Sequence, residues 1–126
     1  MTAKKWALVF GVIFVLAGIL GFIPNPILGE GAYFHADMVH NLIHLIVGIV
    51  LLVAGSKSDA GAAKTIKVIA IIYLLLAIVG FIQLGAAGNE GMLLGIAGSN
   101  SADNWFHLVV AVVMLLAGKK SGGATM

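Results

Sequence analysis

The chain has no cysteine, no arginine and only two prolines among its 126 residues. Without cysteine, disulfide frameworks and thiolate metal sites are excluded. Charge is scarce too. Charged residues make up 10% and hydrophobic residues 61%, against about 25% and about 45–50% in typical soluble proteins. Folding in water would leave too few polar side chains to cover the surface, so the solvent implied is lipid. The length suits one domain, taken as 1–126.

Four apolar runs fill most of the chain: 6–23, 39–55, 66–84 and 102–118. At 1.5 Å rise per residue each spans roughly 26–28 Å, short but adequate for a bilayer core. None contains proline, and Pro24 and Pro26 fall just after the first, where a helix should end. The opening "MTAKKWALVFGVIFVLAG" has the basic start and apolar middle of a secretory signal. No small-x-small cleavage site follows it, and the apolar run exceeds a usual signal core, so a retained helix is expected.

The few charges are sorted by position. Lys4 and Lys5, then Lys57, Lys64 and Lys67, then Lys119 and Lys120 mark the N-terminus, the middle connection and the C-terminus. Glu30, Asp37, Glu90, Asp103 and all four histidines lie towards the other two connections. The positive-inside rule then makes both termini cytoplasmic and turns the histidine-bearing ends outward.

The two halves resemble each other. "FVLAGILGFI" (14–23) aligns with "YLLLAIVGFI" (73–82), placing Gly11, Gly18 and Gly21 over Ala70, Ala77 and Gly80. "HNLIHLIVGIVLLVAG" (40–55) aligns with "DNWFHLVVAVVMLLAG" (103–118), so Asn41 meets Asn104, His44 meets His107 and Gly48 meets Ala111. The fold class expected is all-α: an integral membrane four-helix bundle made of two parallel helical-hairpin repeats. The boundaries are about 3–55 and 62–118, with a cytoplasmic linker 56–61 and a tail 119–126. These eight small residues, at seven-residue spacing in Gly11/Gly18 and Ala70/Ala77 on spans one and three, would let helices approach closely, since lipid offers no hydrophobic drive for association. The outer connections, "PNPILGEGAYFHA" and "QLGAAGNEGMLLGIAGSN", read as glycine-rich loops. Their Phe34, Met92 and Leu93 are expected against the bundle or in the headgroup zone.

Asp37, His40, Asn41, His44 and Gly48 share one helical face, as do Asn100, Asp103, Asn104, His107 and Ala111. Polar groups at this depth need partners and should point inward. The leading expectation is that they join the helices. Asn41, Asn104, His44 and His107 would bond across the bundle, with Asp37 and Ser101 as N-caps and Asp103 at the positive helix end. A second reading puts a cofactor there: a haem b between His44 and His107, or a zinc held by His40, His44, His107 and Asp103. A third is a small oligomeric ion or proton transporter, but the inner half of every span offers no visible relay. Ser99 and Ser101 near His107 suggest a hydrolase only weakly, so no enzymatic activity is expected.

"ADMVHNLIHLIVGIVLLVAG" and "GMLLGIAGSNSADNWFHLVVAVVMLLAG", preceded by a span ending "GFIPNP", resemble a bacterial four-helix membrane family called domain of unknown function 4383. The similarity runs from about Val9 to Gly118, and Asn41/His44 and Asn104/His107 are its most specific elements. It implies a four-span fold and a prokaryotic plasma-membrane location, and it carries no catalytic residues. The expectation is therefore a non-catalytic structural or accessory subunit, without a required cofactor. Its partners would be the lipid bilayer and either a second copy or a larger membrane complex, with no nucleic acid.

Overall fold

The computed structural model describes residues 1–125, with side-chain surroundings given for residues 1–119. Lys120 and most of the expected tail 119–126 lie outside the residues described in that detail. Four helices form: α1 (Ala3–Phe22), α2 (Met38–Gly55), α3 (Asp59–Leu84) and α4 (Ser101–Thr125). All four are long and apolar enough to cross a membrane. The chain is all-α in its main architecture.

Each helix begins or ends where local chemistry requires. The Thr2 hydroxyl caps α1 by accepting from the Lys5 N–H, and the chain leaves the helix at Ile23 before Pro24. Asp37 caps α2, and Ser58 caps α3 through the Gly61 N–H. Helix α3 starts earlier than its apolar run, at Asp59, so only residues 56–58 separate α2 from α3. Asp59 Oδ1 also accepts the Lys4 N–H at 3.1 Å, tying the starts of α1 and α3 together at the end opposite the histidines.

Close approach is confined to two helix pairs. In α1–α2, Gly11 lies against Gly48 and Leu52, Gly18 against Asn41 and Leu45, and Gly55 against Lys4 and Leu8. Contacts therefore run in opposite chain directions, and the pair is antiparallel. In α3–α4, Gly80 meets Asn104 while Gly118 meets Ile66 and Lys67, again antiparallel. Between the pairs the bundle interior is filled by Phe10, Phe14, Leu51, Ile66, Ala70, Tyr73, Ala111 and Met114. The outer faces stay apolar: Leu16, Ile46, Leu75 and Val109 are all exposed. A helix hydrophobic all round is a membrane signature.

The histidine-bearing end differs from the glycine-rich loops expected of it. Leu28–Gly29 (β1) pairs parallel with Phe34–His35 (β2), and Glu90–Leu93 (β3) pairs antiparallel with Ala97–Asn100 (β4). Leu94 and Gly95 take φ of 56° and 67°, and the Ile96 N–H donates to the Leu93 carbonyl at 3.0 Å. Two positive φ values closed by that bond make a type I′ turn, the twist a two-residue hairpin needs. The signal was hidden because leucine replaces the usual asparagine at the first turn position. Leu93 is buried and Met92 is exposed, while Phe34 stacks edge-on against Phe106 at 5.1 Å.

Candidate metal centre

The polar face of α2 is set by its cap. Asp37 Oδ1 accepts the His40 N–H at 3.0 Å, which fixes the first turn and brings His40, Asn41 and His44 onto the buried side. Asp37 Oδ2 accepts the Gly98 N–H at 2.8 Å and so anchors β4 over the same end. Burial alone would raise the Asp37 carboxyl. The two N–H bonds, with His40 and His35 nearby, outweigh it and hold the group below its ordinary value.

Helix α4 is capped differently from the expectation. Asn100, not Ser101, does the work: its Oδ1 accepts the Asp103 N–H at 3.0 Å while Asp103 Oδ2 accepts the Asn100 N–H at 3.0 Å. This reciprocal pair is a capping box with aspartate in the place of glutamate. The Ser101 hydroxyl instead donates to the Leu84 carbonyl at the end of α3. One turn further along, Asn104 Nδ2 donates at 3.0 Å to the carbonyl of Gly85, the residue that follows α3, while its Oδ1 has no donor among the described residues.

These two starts converge His40, His44 and His107. Their ligand nitrogens all lie within 4.8 Å of one another, and all three side chains are buried. The ring centroids form a triangle of 4.5 Å (His40–His44), 5.6 Å (His40–His107) and 6.4 Å (His44–His107). Phe14 and Tyr73 wall it in, with Phe14 5.8 Å from His44 and Tyr73 5.2 Å from His107. Asp103 stays outside the trio. Its Oδ2 is occupied by the Asn100 N–H and the Ser99 hydroxyl, although the residue lines one cleft of about 230 Å³ together with His44 and His107.

Hydrogen bonding divides the trio. His40 Nδ1 lies 2.7 Å from the Gly98 carbonyl. A carbonyl only accepts, so Nδ1 carries the proton and Nε2 presents its lone pair. His44 Nδ1 and both ring nitrogens of His107 are buried and have no hydrogen-bond partner among the described residues. The expectation that each histidine would bond to a carbonyl or to the opposite asparagine therefore holds for His40 alone. Asn41 departs as well: its Oδ1 faces Gly21 with no donor.

Of the small residues expected at close contacts, Gly11, Gly18, Gly21, Gly48 and Gly80 all sit where an added Cβ would meet another helix. Ala70, Ala77 and Ala111 are fully buried. Sequence reasoning did not assign a role to Gly98, whose carbonyl fixes the His40 tautomer from 58 residues away. Nothing in a glycine within a loop sequence could have signalled it.

The family model described as Domain of unknown function (DUF4383) matches residues 4–119. The chain belongs to this family. The match takes in both histidine-bearing helices and the strands between α3 and α4. No curated protein and no solved structure matches the chain. The family's description carries no activity, so the functional reading rests on the geometry of the trio.

Proposed function

We propose that the protein is a non-catalytic membrane protein that holds one zinc-class divalent metal ion on His40, His44 and His107. One observation carries the reading: three buried histidines converge, and two of them have ring nitrogens without partners. Bonds to backbone carbonyls account for His40 Nδ1 and the Asn104 amide, which tie α2 to β4 and α4 to the end of α3. They do not explain His44 or His107. An orphaned buried polar group costs about 1–3 kcal/mol, and metal ligation would satisfy such nitrogens.

The donor set suits the metal. Zinc binds imidazole nitrogen at about 2.0–2.1 Å, and three histidines can fill three of its four positions. Tetrahedral bonds of that length put ligand nitrogens about 3.3 Å apart, so the trio, spread within 4.8 Å, has only a small closure to make. The Gly98 carbonyl on His40 Nδ1 is the outer support that metal-bound histidines typically have. A haem fits less well. The centroid triangle puts the His40 ring inside the footprint of a macrocycle held between His44 and His107.

Two further observations support the rest of the reading. The Ser99 and Ser101 hydroxyls are committed to Asp103 and to the Leu84 carbonyl, which argues against a serine nucleophile. The lysine distribution favours cytoplasmic termini and a trio in the outer leaflet of a plasma membrane. Exposed apolar helix faces suit lipid, a second copy or a larger complex in which this chain is an accessory subunit.

The test is metal content and zinc titration of detergent-purified protein. One equivalent of zinc is expected per chain, lost in His44→Ala and His107→Ala and retained in Asn104→Ala. Protein that takes up no zinc, with alanine variants less stable than the parent, would return the trio to helix packing.

A further inference from the structure

Asn41 and Asn104 align in sequence, and the Oδ1 of each faces a glycine of the preceding helix, Gly21 or Gly80. Their amides part company. Asn104 Nδ2 donates to the Gly85 carbonyl at 3.0 Å. Asn41 makes no such bond among the described residues, although it is only 2% exposed. Beside it the chain turns away through Pro24, Asn25 and Pro26 and leaves a cavity of about 430 Å³. Gly21, Ile23, Gly29, Glu30, Met38 and Asn41 line it. That size falls within the roughly 300–1,000 Å³ of small-molecule pockets.

The wall of this cavity is held in place. Asn25 Nδ2 donates to the Leu20 and Leu28 carbonyls at 2.9 and 2.8 Å, and its Oδ1 accepts the Ile27 and Leu28 N–H groups. Gly29 takes φ of 138°, and a Cβ there would lie 2.9 Å from the Gly21 carbonyl oxygen, so no larger residue fits the wall. A second cavity, of about 510 Å³, lies at the same end of the bundle and has its polar groups satisfied. There the Asn100 amide and the Trp105 N–H donate to the Tyr33 and Ala86 carbonyls, and Glu90 lies 3.4 Å from His35. In the first cavity Glu30 is exposed with no ion pair among the described residues, and the Asn41 amide has no acceptor. Volume does not distinguish the two; the unpaired groups do.

Those groups specify what is missing. Asn41 Nδ2 needs an acceptor oxygen. Glu30 needs a cation, and the C-terminal end of α1, which borders the cavity at Phe22 and Ile23, favours positive charge as well. The lysines lie at the other end of the helices. The rest of the rim is apolar, with Phe22, Ile23 and Met38 all exposed. We propose that this cavity binds the headgroup of a phospholipid carrying a primary ammonium, with the ammonium on Glu30, a phosphate oxygen on the Asn41 amide and the acyl chains along Phe22, Ile23 and Met38. The apolar rim is what makes the occupant a lipid rather than a soluble phosphate ester. This site is separate from the histidine trio and does not depend on the metal reading.

The experiment is native mass spectrometry of the full chain in detergent micelles, titrated with phosphatidylethanolamine or phosphatidylcholine of identical acyl chains. Phosphatidylcholine keeps the phosphate and the positive charge but has no N–H to donate. The parent is therefore expected to bind phosphatidylethanolamine about tenfold more tightly, the worth of one charge-assisted hydrogen bond. Glu30→Gln, a change at an exposed position, should abolish that preference. Asn41→Ala should weaken both lipids alike, because the phosphate is common to both. Glu90→Gln, at the second cavity, should keep the parent preference. Equal binding of the two lipids by the parent would overturn the proposal, as would a preference that survives in Glu30→Gln. Glycerophosphoethanolamine, the same headgroup without acyl chains, should fail to displace the lipid at equal concentration. Displacement as effective as that by lipid would assign the cavity to a soluble ligand and overturn the lipid assignment.

Discussion

Replacing Gly48 by alanine pits one methyl group against a helix contact made largely by backbone. An added Cβ there would lie 2.6 Å from Val15 Cγ2, 2.7 Å from the Val15 nitrogen and 2.8 Å from the Gly11 carbonyl oxygen. Two of those three atoms are backbone. A side chain can rotate away, but backbone can yield only if α1 and α2 separate. Overpacking of this kind costs about 1–3 kcal/mol, and the absence of a movable neighbour argues for the upper part of that range. Alanine recovers up to about 1 kcal/mol of helix propensity over glycine. The expected net loss is therefore about 1–2 kcal/mol, and Gly48→Leu should lose more. The assay is unfolding by sodium dodecyl sulfate in mixed micelles, followed by far-ultraviolet circular dichroism, with the midpoint compared at equal slope. Val50→Ala, on the exposed face of the same helix, is the control and should stay within about 0.5 kcal/mol of the parent. A Gly48→Ala midpoint equal to or above that of the parent would show that α1 and α2 are not held this close.

Three other substitutions separate the roles of neighbouring residues. Asn104→Ala removes the bond to the Gly85 carbonyl, at about 0.6–2 kcal/mol; Asn41→Ala should cost less, because the Oδ1 of both residues lacks a donor among the described residues and only Asn104 has an amide bond to lose, and the same unfolding assay ranks the pair. Asp37→Ala loses both the α2 cap and the anchor on β4, with about 1–2 kcal/mol expected for the cap, read as faster hydrogen exchange at the His40 and Gly98 amides. Leu94→Asn relieves a leucine held at φ 56°, which is worth about 1 kcal/mol, and should slow amide exchange across β3 and β4 without moving zinc affinity.

Much of the fold was legible because lipid imposes simple rules. Apolar run length located four helices, and small-residue spacing marked Gly11, Gly18 and Gly48 as close-approach positions without naming the helix that each would meet. The ends of the helices were less legible. Helix α3 extends to Asp59 because Ser58 caps it, and a polar first turn at a membrane surface looks like linker. The strands were not legible at all. Their pairing depends on a turn at Leu94 and Gly95 whose first residue gives no turn signal, and on a cap at Asn100 that competes with two nearby serines for the same role.

The histidine trio shows where periodicity stops and geometry begins. Helical spacing put His40 and His44 on one face and His107 on another, and depth in the membrane turned both faces inward. That argument yields proximity and nothing finer, so helix joining led as the commonest use of such residues and zinc and haem stayed behind it. The orientation of the ring nitrogens is set by partners remote in sequence. Gly98 takes the His40 proton donor, the capping box takes Asp103 out of the ligand set, and Gly85 takes the Asn104 amide that might have served a histidine. Once those bonds are assigned, His44 and His107 are left facing His40 with nothing else to bind. The polar residues of the two helices thus divide by partner rather than by type: His40 and the Asn104 amide are each held by a carbonyl, while His44 Nδ1 and both His107 nitrogens have no partner among the described residues, and on those three atoms the metal proposal rests.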